Sequence, residues 1–182
     1  NNKILQLTKN DELTVTRYKK FSEFLLIGMG GSILGTKSIF SFLKERIKKK
    51  FYFKDNFDTS NFILKKKDKR LNLIISKSGN TLETISNTNI LIKKHHENVF
   101  ITENKNSYLM NLALKLKSEI IHHNNYIGGR YSILSEVGML PAELMGLNPK
   151  KFRRLNLLIK DKTFIQSLIQ NVSNILHLTK KK

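Results

Sequence analysis

Cysteine and tryptophan are absent from the 182 residues, proline occurs twice, and acidic side chains number 14 against 33 lysines and arginines. The lack of cysteine excludes disulfides and any thiolate metal or redox centre. Long apolar runs are missing as well. Phe24–Ile27 and Leu71–Ile75 are far shorter than the roughly 20 residues a membrane span requires. The polar opening Asn1–Asn10 has no apolar stretch of the kind that marks a secretory signal. A soluble, cytoplasmic protein with no membrane role is the expectation.

The shortage of acids leaves a formal net charge of +19. Such a balance can serve nucleic acid, an anionic membrane surface or small anionic substrates. Here the lysines cluster at 48–50, 65–67 and 180–182, and no tyrosines interleave with them as a base-stacking platform would need. That argues against nucleic acid. The richness in Lys, Asn and Ile is also what an AT-rich gene produces without selection for any partner. The chain starts at Asn1 and not at Met, which leads us to expect a piece of something longer.

Enough is present for a core: 40% of residues are hydrophobic. Strands are predicted at 24–27, 51–53, 71–75, 99–101 and 119–121, with a weaker one at 62–64. Helical spacing predicts helices from Ser32 to about Ile47, from Thr81 to about Lys93, over about 107–117, around 137–147 and over 164–176. Pro141 is expected to kink or delimit the fourth, and packing is the role expected for the last. Residues 13–18 look extended. Strands alternating with helices imply an α/β, doubly wound, mostly parallel sheet, whose ligands bind where strand ends feed helices.

Two such junctions carry unusual chemistry. Gly28-Met-Gly-Gly-Ser32 offers close backbone approach, amides at a helix start, and the Ser32 hydroxyl at the expected N-cap. Two standard phosphate motifs do not fit it. A dinucleotide fingerprint would need Gly where Ile33 stands, and in a nucleotide P-loop Thr36 pushes Lys37 out of register. The second junction, Ser76-Lys-Ser-Gly-Asn-Thr81, puts three hydroxyls, a glycine and a lysine in one turn. A phosphate dianion wants that many donors together. Each loop alone reads equally well as an ordinary capped turn; both on successive βα units point to a phosphate site.

These residues also resemble a family. Gly28-Met-Gly-Gly-Ser-Ile-Leu-Gly35 is similar to the glycine loop of glucose-6-phosphate isomerases, and Ser76-Lys-Ser-Gly-Asn-Thr-Leu-Glu-Thr84 to their phosphate loop. Gly128-Gly-Arg-Tyr-Ser132 with Glu136-Val-Gly-Met-Leu140 resembles their long signature. The resemblance implies a flavodoxin-like sugar isomerase domain of about five strands with extra C-terminal helices. It implies a polar segment over 1–20, the domain with its two phosphate loops over 21–125, and the signature loop and C-terminal helices over 126–182. Gly31 and Ser32 would approach the sugar phosphate of glucose 6-phosphate or fructose 6-phosphate. Ser76, Lys77, Ser78 and Thr81, in a loop completed by Gly79 and Asn80, would hold its oxygens. Arg130 would be the catalytic cation, steadying the oxyanion of a cis-enediolate. Taken without the resemblance, Arg130 reads better as a structural ion pair or loop anchor. A homodimer without cofactor or metal is implied too. Asn80, and Asn125-Tyr-Ile127 in place of a common Asp-Trp-Val, depart from the pattern.

The family's catalytic glutamate stretch, Gln-Gly-x-x-Glu-Ser, has no counterpart, since the glutamines are Gln6, Gln166 and Gln170. Glu136 and Glu143 read as structural or surface carboxylates. The adjacent pairs His95-His96 and His122-His123 would face opposite ways on a strand, so neither chelates a metal, and His177 lies near the C-terminal end. The expectation is therefore the phosphate half of a longer isomerase, binding substrate without turning it over. The alternative is a stand-alone sugar-phosphate-binding module of regulatory type.

Overall fold

The structure, a computed structural model, describes residues 15–57, 70–94 and 96–180. Five strands build one sheet: β1 (Glu23–Gly28), β2 (Lys50–Lys54), β3 (Arg70–Ile75), β4 (Glu97–Thr102) and β5 (Glu119–His122). Their order is β2-β1-β3-β4-β5 and every pair is parallel. This is the flavodoxin-like order, in which the chain reverses its direction of travel between β1 and β3. Nearly continuous apolar runs form the inner strands because helices cover both faces. Leu25, Ile27, Ile74 and Phe100 pack on one face with Leu109 and Ala113. On the other, Phe24 stacks on its register partner Phe51, and Phe40 leans on Phe51 and Phe53.

The helices are α1 (Leu34–Phe42), α2 (Leu82–Leu91), α3 (Tyr108–Lys115), α4 (Glu136–Leu144), α5 (Pro149–Phe152) and α6 (Lys162–Lys180), with 3-10 turns at Gly30–Ser32, Lys44–Arg46, Gly129–Leu134 and Arg153–Lys160. Pro141 sits inside α4 without ending it. At the end of the sheet away from the helix-leading loops, Asn72 donates to Asn98 at 2.8 Å and accepts from Arg70 at 3.0 Å. These contacts satisfy polar groups that the apolar strand would otherwise strand in the core.

Three local expectations are corrected. Residues 15–18 are helical, not extended; Val15 and Tyr18, three residues apart, are the two buried there, which is a helical spacing. Ser32 caps no helix: it ends a 3-10 turn, and Ile33 precedes α1 without a side-chain cap. The apolar stripe of the last helix is not buried among the described residues, with Ile169 and Leu176 more than half exposed. The strand expected at 62–64 lies outside the described residues. The chain divides into two compact units at Leu147/Asn148. All buried hydrophobic residues among those described lie between Val15 and Met145.

Candidate functional site

Parallel pairing of Gly28 with Ile75 starts the two glycine-containing loops side by side, at the carboxyl ends of β1 and β3. That is the point where the strand order reverses, and the crevice there is where such sheets take ligands. The phosphate-type loop is built tightly. The Gly79 amide reaches both the carbonyl and the hydroxyl of Ser76 at 3.2 Å. Gly79 has φ of +67°, and a Cβ there would run into Ser107. Only glycine suits both demands.

The hydroxyls face one another. Ser76 Oγ lies 3.1 Å and Ser78 Oγ 3.5 Å from Thr81 Oγ1. Thr81 occupies the N-cap of α2 yet makes no side-chain cap bond, so its hydroxyl is turned into this cluster. Asn80 serves the neighbouring helix, its side-chain oxygen accepting from the Tyr108 amide at 2.9 Å. An uncapped helix start beside three clustered hydroxyls suits an anion.

β4 braces this loop from the other side. Ile101 O accepts from Ser76 N at 3.0 Å, and Lys77 O accepts from Glu103 N at 3.1 Å. The Lys77 ammonium is engaged: it donates to Asn125 O at 2.8 Å and sits 3.4 Å from Glu103. Its side chain thus ties the phosphate-type loop to the segment that leads into Gly128-Gly-Arg130. Lys105 pairs with Glu103 at 2.8 Å. The Lys105 hydrogen bond first, and Lys77 after it, hold the Glu103 carboxyl below its ordinary range, against the opposing effect of burial.

The third motif reaches the first. A Cβ on Gly31 would overlap the Gly129 carbonyl and the Arg130 amide, so the glycine loop and the signature loop are in direct backbone contact. Ser132 fastens them, its hydroxyl lying 2.6 Å from Gly129 O and 3.3 Å from Gly31 O. Arg130 is exposed on this rim. Gly31, Ser32, Ser76, Ser78, Gly79, Asn80, Thr81 and Arg130 therefore share one end of the sheet, while Lys77 faces the loop of Asn125.

Sequence reading missed Glu103 and Ser107, which contact the phosphate-type loop, and it named His123 and Glu136 without pairing them. Nothing in their spacing announces them: Glu103 and Ser107 reach the Lys77–Gly79 turn because β3 and β4 are neighbours, and His123 meets Glu136 across the intervening loop. His122 is exposed and His123 buried, as the alternation of a strand dictates. No group of His, Cys, Asp or Glu that could hold a metal occurs among the described residues, and none of the described helices is long and apolar enough to cross a membrane.

The sequence model of the phosphoglucose isomerase family matches residues 3–178. The glucose-6-phosphate isomerase of Methanocaldococcus jannaschii is 38% identical over 150 aligned positions, covering 74% of this chain and 36% of its own length. That of Mycoplasma genitalium is 34% identical over 184 positions, covering 89% and 43%. The chain thus spans about two-fifths of the length of these curated relatives. Among solved structures, a hypothetical protein from Thermus thermophilus matches with a TM-score of 0.75 at 26% identity, over 93% of this chain and 45% of that one. Tagatose-6-phosphate ketose/aldose isomerase from Escherichia coli matches with a TM-score of 0.64 at 14% identity, over 91% and 50%, a likeness of fold alone.

Proposed function

The chain belongs to the phosphoglucose isomerase family, and on that premise we propose that it supplies the phosphate half of a site interconverting glucose 6-phosphate and fructose 6-phosphate. The observation that carries this is the meeting of the Ser76, Ser78 and Thr81 hydroxyls at an uncapped helix start, beside the glycine loop. Each hydroxyl donates to a phosphate oxygen, and the first-turn amides of α2 add the positive end of the helix. Gly31 and Ser32 approach the same phosphate from β1. The sugar then extends toward the rim, where the Arg130 guanidinium stabilises the oxyanion of a cis-enediolate.

Proton transfer between C1 and C2 needs a free carboxylate, and the Gln-Gly-x-x-Glu-Ser stretch that carries it in the family has no counterpart here, while three carboxylates near these loops are engaged. Glu136 pairs with His123, and Glu103 with Lys105 and Lys77. Glu143, a little farther along α4, pairs with Lys19. On this reading the 182 residues bind substrate without turning it over, and the base comes from elsewhere in the enzyme. The homodimer belongs to the same reading, and sedimentation of the complete enzyme tests it.

Calorimetric titration with glucose 6-phosphate, inorganic phosphate and glucose tests the site. The Ser76→Ala/Thr81→Ala double variant should weaken both phosphate ligands roughly tenfold or more, since two charge-assisted hydrogen bonds go. Glucose should respond as in the parent chain. Failure of the parent to distinguish glucose 6-phosphate from glucose would end this proposal, and measurable isomerase activity from the 182 residues would refute the claim that they lack the base.

A further inference from the structure

The strand β5 ends in an exposed histidine, His122, and a buried one, His123, follows it. The His123 side chain is 1% exposed, and its two ring nitrogens both meet oxygens. Nδ1 contacts Glu136 Oε1, and Nε2 lies 3.2 Å from the carbonyl of Ile127. A neutral imidazole donates from one nitrogen, whereas an imidazolium donates from both. In either form the ring bridges the Glu136 carboxyl group and the Ile127 carbonyl. Both partners are nearly out of solvent, with Glu136 14% exposed, so removing either leaves a buried group without its counterpart.

The placement gives the pair a task. His123 is the first residue past β5 and its amide donates to Thr102 O at 2.8 Å, so it is fixed to β4. Glu136 is the first residue of α4, whose cap Ser135 is fixed to Ser132 O at 2.6 Å. Between them runs the segment 124–135, which carries Gly128-Gly-Arg130 at its middle. The pair thus closes the base of that loop, and the Ile127 carbonyl pulls its interior onto the same ring. Lys77 holds the outer limb at Asn125. Closing a loop at its base removes most of the conformations its tip could sample.

We propose that His123 and Glu136 are positioning residues that hold the 124–135 loop, and with it Arg130, in register with the phosphate loop. The substrate part of this inference rests on the function proposed above, and the loop part does not. Variants His123→Gln and Glu136→Gln in the 182-residue chain test it by amide hydrogen exchange and by titration. The amides of Tyr126, Ile127 and Tyr131 are internally bonded, to Asn124 and to Gly128. Their exchange should rise about tenfold or more in both variants, while strand amides of β3 and β4 keep the parent rates. Glucose 6-phosphate, which reaches the rim, should bind about tenfold more weakly, with inorganic phosphate unchanged. Glu136→Gln, which retains shape and an acceptor, should lose less than Glu136→Ala.

Unchanged exchange at 126–131 overturns the proposal. So does an equal rise across the sheet, which would make the pair a support of the fold and not of the loop. An equal loss of inorganic phosphate and glucose 6-phosphate counts against the positioning of Arg130. If the parent chain binds neither ligand, the proposed function fails, and the exchange measurement still decides whether the pair holds the loop.

Discussion

In the candidate site, Gly31 and Gly79 carry geometry that no other residue can supply. Gly31 permits backbone contact between loops that lie about a hundred positions apart in the chain, against Gly129. Gly79 combines a left-handed conformation with a neighbour, Ser107, occupying the space of a Cβ. We expect Gly79→Ala to lower stability by roughly 2–4 kcal/mol, one part from the positive φ and one from overpacking. Chemical denaturation measures it, and a loss below about 1 kcal/mol would mean that Ser107 moves aside freely. Thr81 makes a different point: its hydroxyl gives up helix capping, worth about 1 kcal/mol, to join Ser76 and Ser78. A preference against local stability at one residue is the kind of trade that binding sites make.

At the scale of elements, the end of β4 organises its neighbours. Thr102 and Glu103 bond to the Lys77 carbonyl, Thr102 O accepts from His123, and the Glu103 carboxylate draws in Lys77 and Lys105. Because Lys105 and Lys77 depress Glu103, its contribution to stability is present above the ordinary glutamate value of 4.5 and disappears as pH falls through the lowered value. Glu103→Gln should therefore be less stable than the parent at pH 7, with the gap closing below about pH 4. Urea denaturation across that range gives the answer. A gap that stays constant with pH would show that the carboxylate's charge is not what the lysines recognise.

The whole chain has one sheet-centred core and a second unit. Nothing buried and hydrophobic among the described residues lies beyond Met145, and α6 carries its apolar stripe exposed. A chain ended after Leu147 should keep its melting transition within about 3 °C of the parent, the shift that roughly 1 kcal/mol produces at this size. Its response to inorganic phosphate should be unaltered. A larger drop in melting temperature would place part of the core's stability in the last 35 residues.

Much of the architecture was readable along the chain. The apolar runs at 24–27, 71–75 and 99–101 read as buried strands, and the glycine- and hydroxyl-rich clusters after the first two read as turns into helices. Those are local properties, set by side-chain hydrophobicity and backbone freedom within a few residues. Two of the three exceptions were also local. Residues 15–18 and the Ser32 turn were misjudged because short polar stretches have weak propensities that the surrounding packing overrides.

What the sequence by itself determined is the α/β alternation and the glycine- and hydroxyl-rich make-up of two loops, because both follow from neighbours in the chain. What only the tertiary structure decided is the company those loops keep. Lys77 is bonded to Asn125, Gly31 lies against Gly129, and His123 is buried against Glu136. The first two contacts join residues far apart in the chain that meet through the order of strands in the sheet. That order comes from burying both faces of five strands at once, a condition on the whole chain that no short segment contains.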